Sequence, residues 1–341
     1  MRYYIEVCGN VKNTADMKAP ADMCAVMKAR GYRAIPFRRP KKGRLRGIRT
    51  HFLNWRRAYR AVKPGDLVVY QYPLLLSHYC VRMLSRLGQA RKATVVLLLH
   101  DIDSIRGLHR EDNAWKEKVF ESADFLICHN EKMAGWLRAH GVRNEIVPLG
   151  IFDYLAEERK PGPGEDENAV ILAGNLSETK SPYIGKLLAL DRKVPVHLYG
   201  PYFEEKAAYR NYRYFGSFPP EELKDHLQGG FGLVWDGDSL EECSGMTGQY
   251  LRWNNPHKVS LYISAGIPVI IWKEAALAPY IEQNGLGITL DSLRNLDAAV
   301  SSLPPEKRAE IRENVRREGE KLRRGEYLNR ALDRIEQAAA R

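Results

Sequence analysis

The chain has 341 residues, 44% of them hydrophobic, which is about two domains' worth of sequence with material for two separate cores. No apolar run approaches the roughly 20 residues of a membrane-spanning helix, and MRYYIEVCG at the start enters a strand pattern instead of a secretory leader, so a cytosolic location is expected. The five cysteines, Cys8, Cys24, Cys80, Cys128 and Cys243, are scattered without a CxxC pair, which argues against a disulfide framework or a zinc site, and the formal charge of +11 is carried almost wholly by residues 1–60.

Strand patterns at 3–9, 33–37, 67–72, 94–100, 125–129 and 145–149 alternate with helical stretches, which predicts a parallel sheet covered on both faces. Ligands of such sheets gather beyond the carboxyl ends of the strands. After the first strand, residues 9–16 form a small-residue loop that opens a helix; it lacks GxGxxG, so a dinucleotide fingerprint is absent. Thr14 in that loop either caps the helix or reaches a phosphate. After the third strand comes Gln71-Tyr72-Pro73, and after the fourth His100-Asp101-Ile102-Asp103-Ser104-Ile105-Arg106. A carboxylate or imidazole at such a strand end can accept a proton from an attacking hydroxyl. Asp101 is the first candidate, followed by His100 and Asp103; Asp103 could instead cap the next helix and Arg106 pair with one of the acids.

Between the second and third strands, Arg38, Arg39, Lys41, Lys42, Arg44 and Arg46 form a basic loop leading into a basic helix around residues 54–60. Such a patch suits nucleic acid, anionic lipid headgroups or a diphosphate-bearing acceptor, or is simply a solvated face. Residues 157–167, EERKPGPGEDE, read as an inter-domain linker. A second alternating series follows, with strands at 169–173, 196–199, 231–235, 269–272 and 287–290. Its strand ends carry Gly174 and Asn175 with Lys180 close behind, then Tyr199 and Gly200, then Asp236-Gly237-Asp238, which is weighed as a turn ahead of a cation site.

Residues 253–272, WNNPHKVSLYISAGIPVIIW, read as a turn, a short helix closed by Gly266 and a buried strand. Lys258 stands in the first turn of that helix, where a cation is unfavourable, so an anion such as a diphosphate is expected beside it. From 304 onward the sequence predicts long amphipathic helices.

The run Tyr250-Leu251-Arg252-Trp253-Asn254-Asn255-Pro256-His257-Lys258, with Ser260-Leu261-Tyr262 and Ala265-Gly266-Ile267-Pro268-Val269, closely resembles a segment of a bacterial glycosyltransferase family of the GT-B fold. That family contains β-1,6-galactofuranosyltransferases of cell-surface polysaccharides and the second glucosyltransferase acting on serine-rich-repeat adhesins. Weaker echoes, among them Gln71-Tyr72-Pro73 and the His100 to Arg106 loop, extend over most of the chain. The resemblance implies an α/β GT-B architecture of two Rossmann-like domains with a cleft between them. The domains expected are 1–156 for the acceptor, a linker at 157–167, 168–303 for the nucleotide sugar, and helices at 304–341 that either cross back to the first domain or form an oligomer contact.

By the same resemblance Lys180 and Lys258 flank the diphosphate and Tyr199 stacks on or borders the base; Gly174, Asn175, Gly200, Asn254, Asn255 and His257 are the other donor-site candidates, joined by Thr14 if it reaches the phosphates instead of capping its helix. Arg106 joins the basic residues as an acceptor or membrane contact. Two ammonium groups can neutralise a leaving diphosphate without a metal or other cofactor. No Glu occurs between Glu242 and Glu274, so the donor clamp of many retaining GT-B enzymes is missing and an inverting displacement is favoured. The expected activity is transfer of a hexose, galactofuranose or glucose, from a UDP-sugar to a cell-surface glycan acceptor. A lipid-linked precursor would suit the basic face at the inner side of an anionic membrane, GlcNAc on an adhesin is the alternative acceptor, and homo-oligomers are expected. The reading from another class, a basic nucleic-acid-binding protein, lacks an aromatic-interleaved recognition motif and ranks low.

Overall fold

The computed structural model describes residues 1–8, 15–40, 44–106, 111–159 and 166–341, with backbone alone for 15, 16, 44 and 111–115. The chain forms two compact units, Met1–Gly150 together with Tyr327–Arg341, and Ile151–Glu326.

The first unit is built on β1 (Arg2–Cys8), α1 (Ala15–Ala29), β2 (Arg33–Arg38), α2 (Arg44–Ala61), β3 (Leu67–Tyr72), α3 (His78–Gln89), β4 (Thr94–Leu99), β5 (Phe125–Cys128), α4 (Glu131–Ala139) and β6 (Glu145–Pro148), with a 3-10 helix at Glu111–Ser122. Its six strands are parallel in the order β2-β1-β3-β4-β5-β6. Central strands covered on both faces are near-continuous apolar runs, and LVVYQY of β3 is buried along its whole length, its one amide, Gln71, being hydrogen-bonded, with only Thr94 of TVVLLL in β4 partly exposed. Helix starts are set by side-chain caps: Ser77 Oγ accepts from Cys80 N at 3.1 Å and Asn130 Oδ1 from Met133 N at 3.0 Å. Because β1 is followed by β2 on one side and β3 pairs on the other, the strand order reverses between β1 and β3, where the crevice of a doubly wound sheet opens.

The second unit contains β7 (Val170–Ala173), α5 (Tyr183–Ala189), β8 (Val196–Tyr199), β9 (Tyr212–Tyr214), α6 (Pro220–His226), β10 (Phe231–Val234), α7 (Gly245–Tyr250), α8 (His257–Ser264), β11 (Val269–Trp272), α9 (Ala278–Gln283), β12 (Gly287–Leu290), α10 (Leu296–Ser301) and α11 (Pro305–Arg323). Its sheet, again all parallel, runs β12-β11-β10-β7-β8-β9, so the order reverses between β7 and β10. The sequence reading lacked β9, a three-residue edge strand whose Tyr-Arg-Tyr carries no apolar run and which forms by pairing with β8.

Two boundaries differ from expectation. The compact units divide at Gly150/Ile151, ahead of 156/157, because Phe152 and Tyr154 are buried and their carbonyls accept from Ser260 Oγ (2.7 Å) and Ser264 Oγ (3.1 Å) of α8. Arg159, inside the expected linker, is buried and donates to Leu227 O and Ala265 O; residues 160–165 lie outside the described residues. The last helix, α12 (Glu326–Ala339), joins the first unit from Tyr327 onward. Its Glu336 accepts from Arg2 (2.6 Å), Arg30 (3.0 Å) and Tyr32 Oη (2.7 Å). Burial works to raise the Glu336 carboxyl, but the hydrogen bonds from Arg30 and Tyr32 outweigh it and hold the group below its usual range.

Candidate functional site

In the second unit three of the expected donor residues, Gly174, Gly200 and Lys258, come together beside the reversal point between β7 and β10. Gly174 follows β7 at φ +146° and Gly200 follows β8 at φ +143°, values that glycine alone adopts without strain. The two loops cross closely: Gly174 N donates to Tyr199 O at 2.9 Å, and a Cβ on Gly200 would stand 1.7 Å from Gly174 O. Lys258, the second residue of α8, lays its side chain along Gly174, so that a Cβ there would stand 3.0 Å from Cε and 3.2 Å from Nζ. No side chain caps α8, whose N-cap is Pro256.

The lysine's position is fixed by the rest of its helix. Tyr262 Oη donates to Ile171 O at 3.3 Å and accepts from Ala173 N at 3.0 Å, while its ring fills the space above Gly232 where a Cβ would be 2.2 Å away. Arg323 and Arg159 donate to Ser264 O and Ala265 O, satisfying the last carbonyls. Burial pushes the Lys258 amine below its ordinary range; Asp236 opposes that shift, Lys180 adds to it, and Cys243 opposes it. Lys258, Lys180 and Asp236 therefore share one electrostatic neighbourhood. Two cations beside a single carboxylate leave an excess positive charge that an anion would neutralise.

The other expected donor residues divide. Asn175 Oδ1 accepts from Ser177 N, an Asx turn that shapes the loop carrying the exposed Lys180. Asn254 Oδ1 is buried and makes no hydrogen bond among the described residues. Asn255 is buried, and the His257 ring packs on Phe152 (6.1 Å) and Tyr154 (5.1 Å). Tyr199 corrects the expectation that its ring borders a base. It is 0% exposed, stacks on Phe215 at 4.8 Å and accepts from Gln228 N through its hydroxyl, so only its backbone reaches the loop crossing. Asp236-Gly237-Asp238 is a turn, with Gly237 at φ +102° donating to Asp236 Oδ1 and Ser244 Oγ bonded to Asp238. Among the described residues no group of three or more His, Cys, Asp or Glu is arranged to hold a metal ion. Thr14, Lys41 and Lys42, and the side chain of Arg44, lie outside the described residues.

In the first unit a cavity of about 310 Å³ opens at the β1/β3 reversal point, lined by Tyr4, Glu6, Cys24, Lys28, Gln71 and Leu74 among others. Gln71 Nε2 donates to Pro20 O (3.2 Å) and Cys24 Sγ (3.0 Å), which turns its Oε1 toward His100 Nε2 at 2.7 Å. An amide oxygen can only accept, so the network assigns the proton to His100 Nε2. Asp101 pairs with Arg106 at 3.4 Å, and Asp103 with Lys116 at 2.6 Å. Arg38, Arg39 and Arg46 are exposed. Sequence reasoning passed over Glu6 and gave Gln71 no role; the signal for both was their place at the carboxyl ends of β1 and β3.

Two doubly wound parallel sheets of this order define the GT-B fold. HepE of Anabaena, solved with UDP and glucose, is similar at TM-score 0.64 and 13% identity over 98% of this chain and 99% of that one. Residues 2–151 match the glucosyltransferase 3-like N-terminal domain, and residues 170–335 match the corresponding C-terminal domain. The chain belongs to the glucosyltransferase 3-like family and is a glycosyltransferase. It is 34% identical to the β-1,6-galactofuranosyltransferase WbbI of Escherichia coli K12, covering 79% of each chain, and 26% identical to glucosyltransferase 3 of Streptococcus gordonii, covering 79% of this chain and 78% of that protein.

Proposed function

We propose that the chain transfers a hexose from a UDP-sugar to a cell-surface glycan acceptor. The single observation that carries the reading is the placement of Lys258 against Gly174 at the reversal point of the second sheet, with the charge of Lys180 felt at its amine. A diphosphate there would meet two ammonium groups and the uncapped start of α8. Gly174 and Gly200 would let it approach the backbone, and the buried Asn254 Oδ1 would accept from a donor such as a hydroxyl of the sugar. In this reading the acceptor oxygen bonds to the anomeric carbon as the bond to UDP breaks with inversion, and the acceptor's proton passes to Asp101, with His100 and Asp103 as the other candidates. The two lysines stabilise the leaving diphosphate in place of a metal ion.

Galactofuranose is the favoured sugar because the relative named for it shares more identity than the glucosyltransferases do. A lipid-linked acceptor and a place at the inner face of the membrane fit the basic surface of the first unit, which would contact the anionic leaflet. The experiment is a donor screen, incubating the protein with a panel of nucleotide sugars and following slow hydrolysis without acceptor. Cleavage of UDP-galactofuranose ahead of UDP-glucose supports the reading, cleavage of UDP-glucose alone favours the adhesin-type alternative, and cleavage of none of the UDP-sugars refutes both.

A further inference from the structure

Helix α2 spends apolar residues on two faces. Asn54, Trp55 and Ala58 point inward, where Trp55 meets Phe37 edge-on at 5.0 Å and Asn54 bonds both Arg38 N (3.0 Å) and Arg38 O (2.8 Å), anchoring the helix to the end of β2. On the outer side Leu45, Ile48, Phe52 and Leu53 are 83%, 59%, 51% and 44% exposed. Leu45, Ile48 and Phe52 are spaced three and four apart, so they form one stripe, and the exposed Arg49 and Arg56 follow Leu45 and Phe52 by four residues, alongside it. Half the large hydrophobic side chains exposed among the described residues thus fall within nine positions of one helix.

We infer that this face of α2 docks on an anionic lipid bilayer, the apolar stripe entering the acyl boundary while the flanking arginines meet the headgroups. The inference deepens the proposed membrane contact and rests on it. Charge selects the occupant. Between Asp22 and Asp66 the sequence has 14 Lys plus Arg and no acid, and Arg46, Arg49 and Arg56 have no carboxylate partner among the described residues. A second copy seated on this stripe through a two-fold axis would set these arginines against each other, whereas an anionic leaflet neutralises them and receives the apolar side chains at once. Position adds a use. Because α2 follows β2, its exposed first turns stand at the carboxyl edge of the first sheet, the edge that also carries His100 and Asp101. Docking there would bring a membrane-held acceptor to those residues.

The test is co-sedimentation with vesicles of phosphatidylcholine, with and without phosphatidylglycerol, at 0.1 M and 0.5 M salt, for the wild type and Ile48→Ser/Phe52→Ser. Both side chains are exposed, so the pair leaves the core intact, and unchanged UDP affinity checks that the donor site is unaffected. The inference expects binding only to anionic vesicles, a remainder that survives 0.5 M salt, and loss of that remainder, on the order of 30-fold in partitioning, in the variant. No binding to anionic vesicles overturns membrane contact altogether. Binding that is wholly salt-suppressed and equal in the variant overturns insertion and leaves the electrostatic contact standing. A wild-type dimer in sedimentation that the substitutions dissociate assigns the stripe to a second copy and refutes the inference.

Discussion

Replacing Lys258 by Met should weaken UDP binding and leave the empty protein as stable as before or more so. The wild-type side chain lies against Gly174, within 3.2 Å of where a Cβ would be, and is half-buried, with its amine below the ordinary range because burial disfavours the ammonium. A charge-assisted hydrogen bond to a phosphate in such a place contributes about 1.5–3 kcal/mol, which is roughly 10- to 150-fold in affinity. Methionine keeps the length and apolar contacts and removes the desolvated charge, so the melting temperature of the free protein should not fall. Lys180 is exposed, and its contribution should be about 0.2–1 kcal/mol, at most roughly fivefold. The pH dependence has a definite sign. The ammonium is the binding form, so wild-type affinity should fall as pH rises through a range below that of an ordinary lysine, and Lys258→Met should lack this step. Calorimetric titration with UDP across pH measures all three quantities. A Lys258→Met protein that binds UDP within twofold of wild type, or a Lys180→Ala loss larger than the Lys258→Met loss, would refute the assignment of the half-buried lysine.

The two loop glycines should differ. Gly200→Ala places a Cβ 1.7 Å from Gly174 O and should cost more than about 3 kcal/mol or prevent folding, while Gly174→Ala meets only the flexible end of Lys258 and should lower urea stability by about 1–3 kcal/mol together with UDP affinity; equal urea midpoints for the two variants would contradict the close crossing. Burial pushes His129 down to about 4, so the unfolded chain binds the extra proton between pH 6.5 and 4. The stability of the first unit should therefore be full above that window and fall by about 3 kcal/mol through it, and His129→Gln should flatten the slope of urea midpoint against pH. Asp101→Asn should lower kcat about 100-fold or more with UDP affinity unchanged, and a retained kcat would move the base to His100.

The strands were legible because doubly covered parallel strands are nearly continuous apolar runs, as in β7 and, apart from Gln71 and Thr94, in β3 and β4. The helix start at His257 and Lys258 was legible for a different reason: Asn-Asn-Pro ahead of an apolar-spaced run is turn chemistry written in consecutive residues. The edge strand β9 was hidden because its residues have no periodicity of their own. The division at Gly150/Ile151 was hidden because it depends on hydroxyls of Ser260 and Ser264 more than a hundred residues away.

Tyr199 marks where strand-end reasoning stops. The rule that ligands lie beyond the carboxyl ends of strands locates a loop, but the last strand residue still alternates inward or outward, and a single position decides whether its ring faces ligand or core. At β8 the ring goes inward onto Phe215, and the next residue, Gly200, is the one at the loop crossing. At β7 and β10, by contrast, Gly174 and Asp236 lie beyond their strands, where backbone direction and not strand alternation sets exposure. A loop position can therefore be placed from sequence where it lies in the turn itself, whereas the direction of a side chain within the strand needs the packing around it to be known first.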